Sequence, residues 1–197
     1  MGQRVLMAVA LVLGGVLAWL VLVWNPAPDE GVAVPPRGGD FTLQSASGPV
    51  SLHDYAGRVV LIFFGYTHCP DICPTSLAMT AQALSALTPG ELERVRVLFV
   101  SVDPERDTPA HLAEYVAYFH PAITGVTGSP AVLADVAGRY GAAYRRQEVG
   151  SASGYLVDHT AFIYLVDQEG RLRQSLPHGM PPAEMVAAIR ALLDERR

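Results

Sequence analysis

Water is a poor solvent for the start of this chain. Val5 to Trp24 is a run of 20 residues without a charge. As a helix rising about 1.5 Å per residue it reaches roughly 30 Å, the thickness of a bilayer's hydrocarbon core. A cleaved signal peptide is the competing reading. Its apolar stretch is ordinarily about 7–15 residues and ends at a small-residue cleavage site. Here the run ends Leu20-Val21-Leu22-Val23-Trp24, and no cysteine follows it to carry a lipid. An uncleaved anchor over residues 5–24 is therefore expected, with Trp19 and Trp24 suited to the far interface. Arg4 precedes the span, while Asp29 and Glu30 follow it. The positive-inside rule then puts residues 1–4 in the cytoplasm and the remainder outside.

Residues 25–39 read as a semi-rigid linker, with Pro26, Pro28, Pro35 and Pro36 among three glycines. The domain is expected over residues 40–197. It carries 12 arginines against 17 acids and no lysine. No basic stripe appears, which argues against nucleic acid as a partner.

The periodicity from Asp40 onward alternates between strand and helix. Short strands are expected at Phe41–Leu43 and Val50–Leu52 around Ser47-Gly48-Pro49. Val59-Val60-Leu61-Ile62-Phe63-Phe64 is a continuous apolar run that reads as a strand buried on both faces. A helix over Thr75–Leu87 follows, then a buried strand over Val95–Val102. Thr108-Pro109 opens another helix with a capping hydroxyl and a proline in the first turn. Ala131–Tyr140 is a further helix. Ala142–Leu156 reads as an inserted hairpin, Ala161–Val166 and the segment through Leu176 as a strand pair, and Pro182–Arg196 as a closing amphipathic helix. Parallel buried strands followed by an antiparallel pair predict an α/β, thioredoxin-like fold: a central mixed sheet flanked by helices, behind one transmembrane helix.

The chain has two cysteines, Cys69 and Cys73. They enclose three residues, and closing so short a loop does little to stabilise a fold. Both lie between a buried strand and a helix start, where free N–H groups and the helix dipole favour thiolates. A thiolate is both a metal ligand and a nucleophile. Thioredoxin-type enzymes separate their cysteines by two residues, whereas these are four positions apart, on one helical face. Two soft sulfurs suit copper(I), zinc or a disulfide. An iron–sulfur cluster or a four-ligand structural zinc lacks ligands.

Gly65-Tyr66-Thr67-His68-Cys69-Pro70-Asp71-Ile72-Cys73-Pro74 closely resembles the signature of the Sco (SenC) family. Ser101-Val102-Asp103-Pro104-Glu105-Arg106-Asp107-Thr108-Pro109 and Val157-Asp158-His159-Thr160-Ala161-Phe162-Ile163-Tyr164 resemble its second and third motifs, in the same order. The resemblance implies a thioredoxin fold that binds a copper ion, Cu(I), Cu(II) or both, through Cys69, Cys73 and His159. It implies a metallochaperone delivering copper to the CuA centre of cytochrome c oxidase. The partners would be the oxidase subunit carrying CuA and another periplasmic copper chaperone or thiol reductant. The setting would be a bacterial plasma membrane, with a single span and the domain on the periplasmic side.

The rival reading is an enzyme, a thiol–disulfide oxidoreductase that reduces the CuA-ligand cysteines or serves redox signalling. Cys69 would then attack, Cys73 resolve, and His159 be dispensable. Thiol peroxidase chemistry fits less well, because Tyr66 stands where a threonine or serine would precede the attacking cysteine. Roles for His68, Asp71, Asp158, His178 and Met180 stay open. Asp158 is a candidate to orient His159, Asp71 to cap the helix, and Arg106 with Asp107 to pair across a turn.

Overall fold

The computed structural model describes residues 2–23, 36–148 and 154–195. They divide into two compact units, Met1–Pro35 and Pro36–Arg197. Trp24 and residues 25–35 of the expected linker lie outside the described residues, as do residues 149–153 of the expected hairpin.

In the first unit, α1 (Gly2–Val23) is a single helix. Its segment Gly2–Leu20 is long and apolar enough to cross a membrane. A helix satisfies every peptide group within the segment, as a lipid surrounding would demand.

The second unit begins with β1 (Thr42–Ser45), β2 (Gly48–Ser51), one 3-10 turn (Leu52–Tyr55) and β3 (Val59–Gly65). It continues through α2 (Ile72–Ser85), α3 (Pro89–Glu93), β4 (Val95–Ser101), α4 (Pro109–Ala117), β5 (Ile123–Val126) and α5 (Pro130–Tyr140). It ends with β6 (Tyr144–Glu148), β7 (Tyr155–His159), β8 (Ile163–Val166), β9 (Leu172–Leu176) and α6 (Pro182–Asp194). The central sheet has the order β5-β4-β3-β8-β9. β3 runs parallel to β4 and antiparallel to β8, so the sheet is mixed as expected. All seven residues of β3 are buried, which is why its sequence is apolar without alternation. Helices α2 and α6 pack on each other, and α4 packs on β5 and β1. Hydroxyl caps start α3, α4 and α5 at Thr88, Thr108 and Ser129, each followed by proline in the first turn.

The compact unit begins at Pro36, four residues before Asp40. The N–H groups of Arg37 and Gly38 both donate to the carbonyl of Arg139 at 3.0 Å. Tyr140 Oη donates to the Gly39 carbonyl at 3.0 Å, and its ring sits among those of Phe41, Phe64 and Tyr164. Gly48 and Pro49 fall in β2 rather than in the turn, which is formed by Ala46 and Ser47.

Two elements have no counterpart in the sequence reading, α3 and the edge strand β5. β5 contains Gly125, a residue that weakens strand propensity. The glycine is there for α4: a Cβ on Gly125 would lie 2.7 Å from Leu112 Cβ and 3.0 Å from its carbonyl oxygen. Gly125→Ala should therefore lift α4 from the sheet edge and cost about 1–3 kcal/mol. The check is a urea midpoint shift in the detergent-solubilised chain, with an unchanged midpoint counting against this packing.

Candidate metal centre

β3 delivers the loop 66–71 to the carboxyl end of the sheet, where open α/β folds place their sites. α2 starts at Ile72, three residues earlier than expected, so Cys73 sits in its first turn and Pro74 at its third position. Asp71 occupies the cap position but makes no capping hydrogen bond; its carboxylate instead accepts from Thr75 Oγ1 at 3.4 Å. The sulfur of Cys69 takes up part of the capping work, accepting from the Cys73 N–H at 3.4 Å. That is the exposed helix donor and dipole end expected to favour an anion.

Cys73 is fully buried and Cys69 half-buried, and neither forms a disulfide. Cys73 Sγ lies 3.2 Å from His159 Nε2. The two sulfurs and one imidazole nitrogen all lie within 4.8 Å of one another and could hold a metal ion. Hydrogen bonding with the Cys73 side chain above all holds Cys69 well below the usual thiol range, to about 3. The N–H groups of Asp71 and Cys73 add to the effect. The same bond, together with burial, pushes Cys73 up. These surroundings favour the thiolate on Cys69, the outer sulfur, over one on Cys73.

Cys73 fits because residue 65 has no side chain. A Cβ on Gly65 would stand 2.6 Å from Cys73 Sγ and 2.8 Å from the Phe99 ring. The loop is fixed from outside by Asp107, a buried carboxylate that accepts from Thr67 N–H at 2.9 Å, from Thr67 Oγ1 and from Ser101 Oγ. The expected Arg106–Asp107 pair is not formed. Arg106 binds Asp103 instead, because the turn points the two neighbours apart.

His159 ends β7, on the hairpin rather than in a free loop. Its ring meets Tyr66 edge-on at 5.9 Å, and Tyr66 Oη accepts from the Val157 N–H at 3.2 Å. The hairpin is held by Tyr155, whose ring lies between the guanidinium groups of Arg106 at 3.7 Å and Arg146 at 3.6 Å. Tyr155 Oη also donates to Asp103 at 2.7 Å. Asp158 does not orient His159: its exposed carboxylate bonds Gln147 and lies near Arg145. The partner of His159 Nδ1 is the Thr160 carbonyl at 3.2 Å, which suits a Nδ1–H tautomer and leaves Nε2 free to ligate.

The other candidates fall elsewhere. His68 is outside the three-residue group, with Nδ1 against Thr67 Oγ1 at 3.0 Å. His178 pairs with the buried Ser76 Oγ at 2.8 Å, and Met180 packs against the core. The sequence assigns Thr67 no role, and it gives Tyr66 and Asp107 none of the bracing contacts seen here. Only the polar residues inside the apolar-flanked second motif pointed towards one of them.

A family model described as SCO1/SenC matches residues 32–194. An SCO2-like protein of Rickettsia conorii is 36% identical over 155 residues, covering 78% of this chain and 75% of that one. Mitochondrial relatives are longer: the chain spans 50% of the Bos taurus SCO2 homolog and 47% of Saccharomyces cerevisiae SCO2. The structure of Bradyrhizobium japonicum ScoI with copper bound is 39% identical, with a TM-score of 0.72 over 79% of this chain and 99% of that one. BsSco has a disulfide switch and belongs to the Sco family of cytochrome c oxidase assembly proteins. It is 25% identical, with a TM-score of 0.63 over 83% of this chain and 96% of that one.

Two outcomes test the thiol geometry. Iodoacetamide should modify reduced protein at Cys69 alone, at a rate nearly constant between about pH 8 and pH 5. An ordinary thiol would slow about tenfold per pH unit over that interval. In Gly65→Ala, mass spectrometry should find Cys73 alkylated as well, because its sulfur is displaced from the core.

Proposed function

The chain belongs to the SCO1/SenC family, and from that premise we propose that it is a membrane-anchored copper carrier serving assembly of cytochrome c oxidase. The observation that carries the reading is the convergence of two sulfurs and one imidazole nitrogen from segments far apart in the chain. Copper is the cargo. Its ligands would be Cys69, Cys73 and His159, a soft set that fits copper(I) and leaves no fourth protein ligand within the group. The copper-bound relative supports this choice of metal.

The environment of each ligand suggests how cargo changes hands. Cys73 sits deep and is held by packing, while Cys69 is half-buried and its surroundings favour the thiolate. An incoming thiolate from a recipient reaches the metal on the Cys69 side first. Cys69 is released, and Cys73 and His159 follow, so the ion is never bare. CuA, itself built with thiolates, is the proposed recipient, in the oxidase subunit that carries it. α1 would hold the domain at the bacterial plasma membrane, on the periplasmic side, with residues 25–35 as its tether.

A second reading rests on the same sulfurs. An outward thiolate with a buried partner one helical turn away is the arrangement of an attacking and a resolving thiol. The disulfide switch of BsSco supports it. On this reading the chain exchanges electrons with the cysteines of the recipient, or with a periplasmic reductant, and does not need His159.

Copper(I) competition titration separates the two. The wild-type chain should bind one copper, and His159→Ala should lose more than about tenfold in affinity, the least expected even for losing a group that only orients a ligand. Unchanged affinity and spectrum would remove His159 from the site. Thiol–disulfide exchange that survives in His159→Ala while copper binding fails would favour the second reading.

A further inference from the structure

We propose a second metal site, formed by His68 and His111 beside the cysteine loop, that takes a divalent copper ion. Neither residue belongs to the group of Cys69, Cys73 and His159, and the inference stands whether or not that group carries copper.

The two imidazoles come from different elements and converge on one atom. His68 Nδ1 lies 3.0 Å from Thr67 Oγ1, and His111 Nε2 lies 3.2 Å from the same oxygen. The ring centroids are 6.2 Å apart, tilted by 39°. An ion ligated at about 2.0 Å sits roughly 3.2 Å from each ring centre, so two rings sharing one ion have centres at most about 6.4 Å apart. The observed spacing is within that reach. Both residues are exposed, so an ion meets no packed barrier.

Proton accounting makes the arrangement more specific. Thr67 has one hydroxyl proton and donates it to Asp107 Oδ1 at 2.5 Å. Its oxygen is then an acceptor towards both rings, so each ring points an N–H at it. On ligation each ring moves that proton to its outer nitrogen, and a neutral imidazole suffers no net loss. The convergent lone pairs thus freed, with Thr67 Oγ1 between them, make a nitrogen–oxygen set without sulfur. Such a set suits copper(II), which binds most tightly among divalent first-row ions. His111 lies in the first turn of α4, whose dipole opposes a cation. The buried Asp107 carboxylate, 3.8 Å from His68 Nδ1, supplies the offsetting negative charge.

The test uses the full chain in detergent with Cys69→Ala and Cys73→Ala, which removes the thiolate site. Copper(II) titration followed by electron paramagnetic resonance should show one equivalent bound with nitrogen couplings. His111→Ala and His68→Ala should each abolish that signal, with circular dichroism confirming an unchanged fold. His53→Ala and His178→Ala should leave it intact. The proposal is overturned if the cysteine-free chain binds no stoichiometric copper(II), if the signal survives His111→Ala, or if it follows His159→Ala instead. The more conservative His111→Gln should reproduce the loss, and a retained signal there would also count against the site.

Discussion

A charge placed without any exposed surface has to be surrounded by donors, and Asp107 is such a charge. Its donors are the backbone and hydroxyl of Thr67, just past β3, and the hydroxyl of Ser101, at the end of β4. Asp107 itself precedes α4. One carboxylate therefore ties together the ends of two parallel strands and the start of a helix. Cys69 and Cys73 come two and six residues after Thr67, so the position of both sulfurs depends on that knot. With Asp107 removed, the Ser101 hydroxyl would be left buried without its acceptor, at roughly 1–3 kcal/mol.

The third group of the site is fastened separately. His159 belongs to the β6–β7 hairpin, which is not part of the central sheet. Its attachment runs through Tyr66, Tyr155 and the Asp103–Arg106 pair. Asp103 and Arg106 flank the same turn as Asp107. The second motif thus serves both halves, one residue bracing the sulfurs and its neighbours bracing the imidazole. This explains why a stretch with no chemistry of its own is so polar between two apolar elements.

What could be read in advance follows from where the information lies. β3 and β4 were legible because burial on both faces leaves a continuous apolar run. β5 was not, since its identity depends on Leu112 pressing against Gly125, a contact between residues separated by α4's end and a turn. The start of α2 was placed a turn late: Cys-Pro-Asp-Ile-Cys-Pro looks like a loop until a sulfur is allowed to act as the cap. The chemistry of Cys69 and Cys73 was visible in their spacing, but His159 was found only through resemblance. Nothing local distinguishes it from five other histidines. Asp107 was assigned to its neighbour Arg106 because adjacency in sequence suggested a pair, whereas its partners lie across the sheet.

The separation between Cys73 and His159 is 86 residues. On the proposed reading, copper in this site is a cross-link over more than a third of the chain, and it exists only once the sheet between them has formed. A chain still emerging through the membrane has its two cysteines but not yet His159. The three-ligand site therefore exists only in the folded chain. Loading of the complete site is thereby scheduled after folding, and a molecule that carries copper on all three ligands is one that has already passed its own structural inspection.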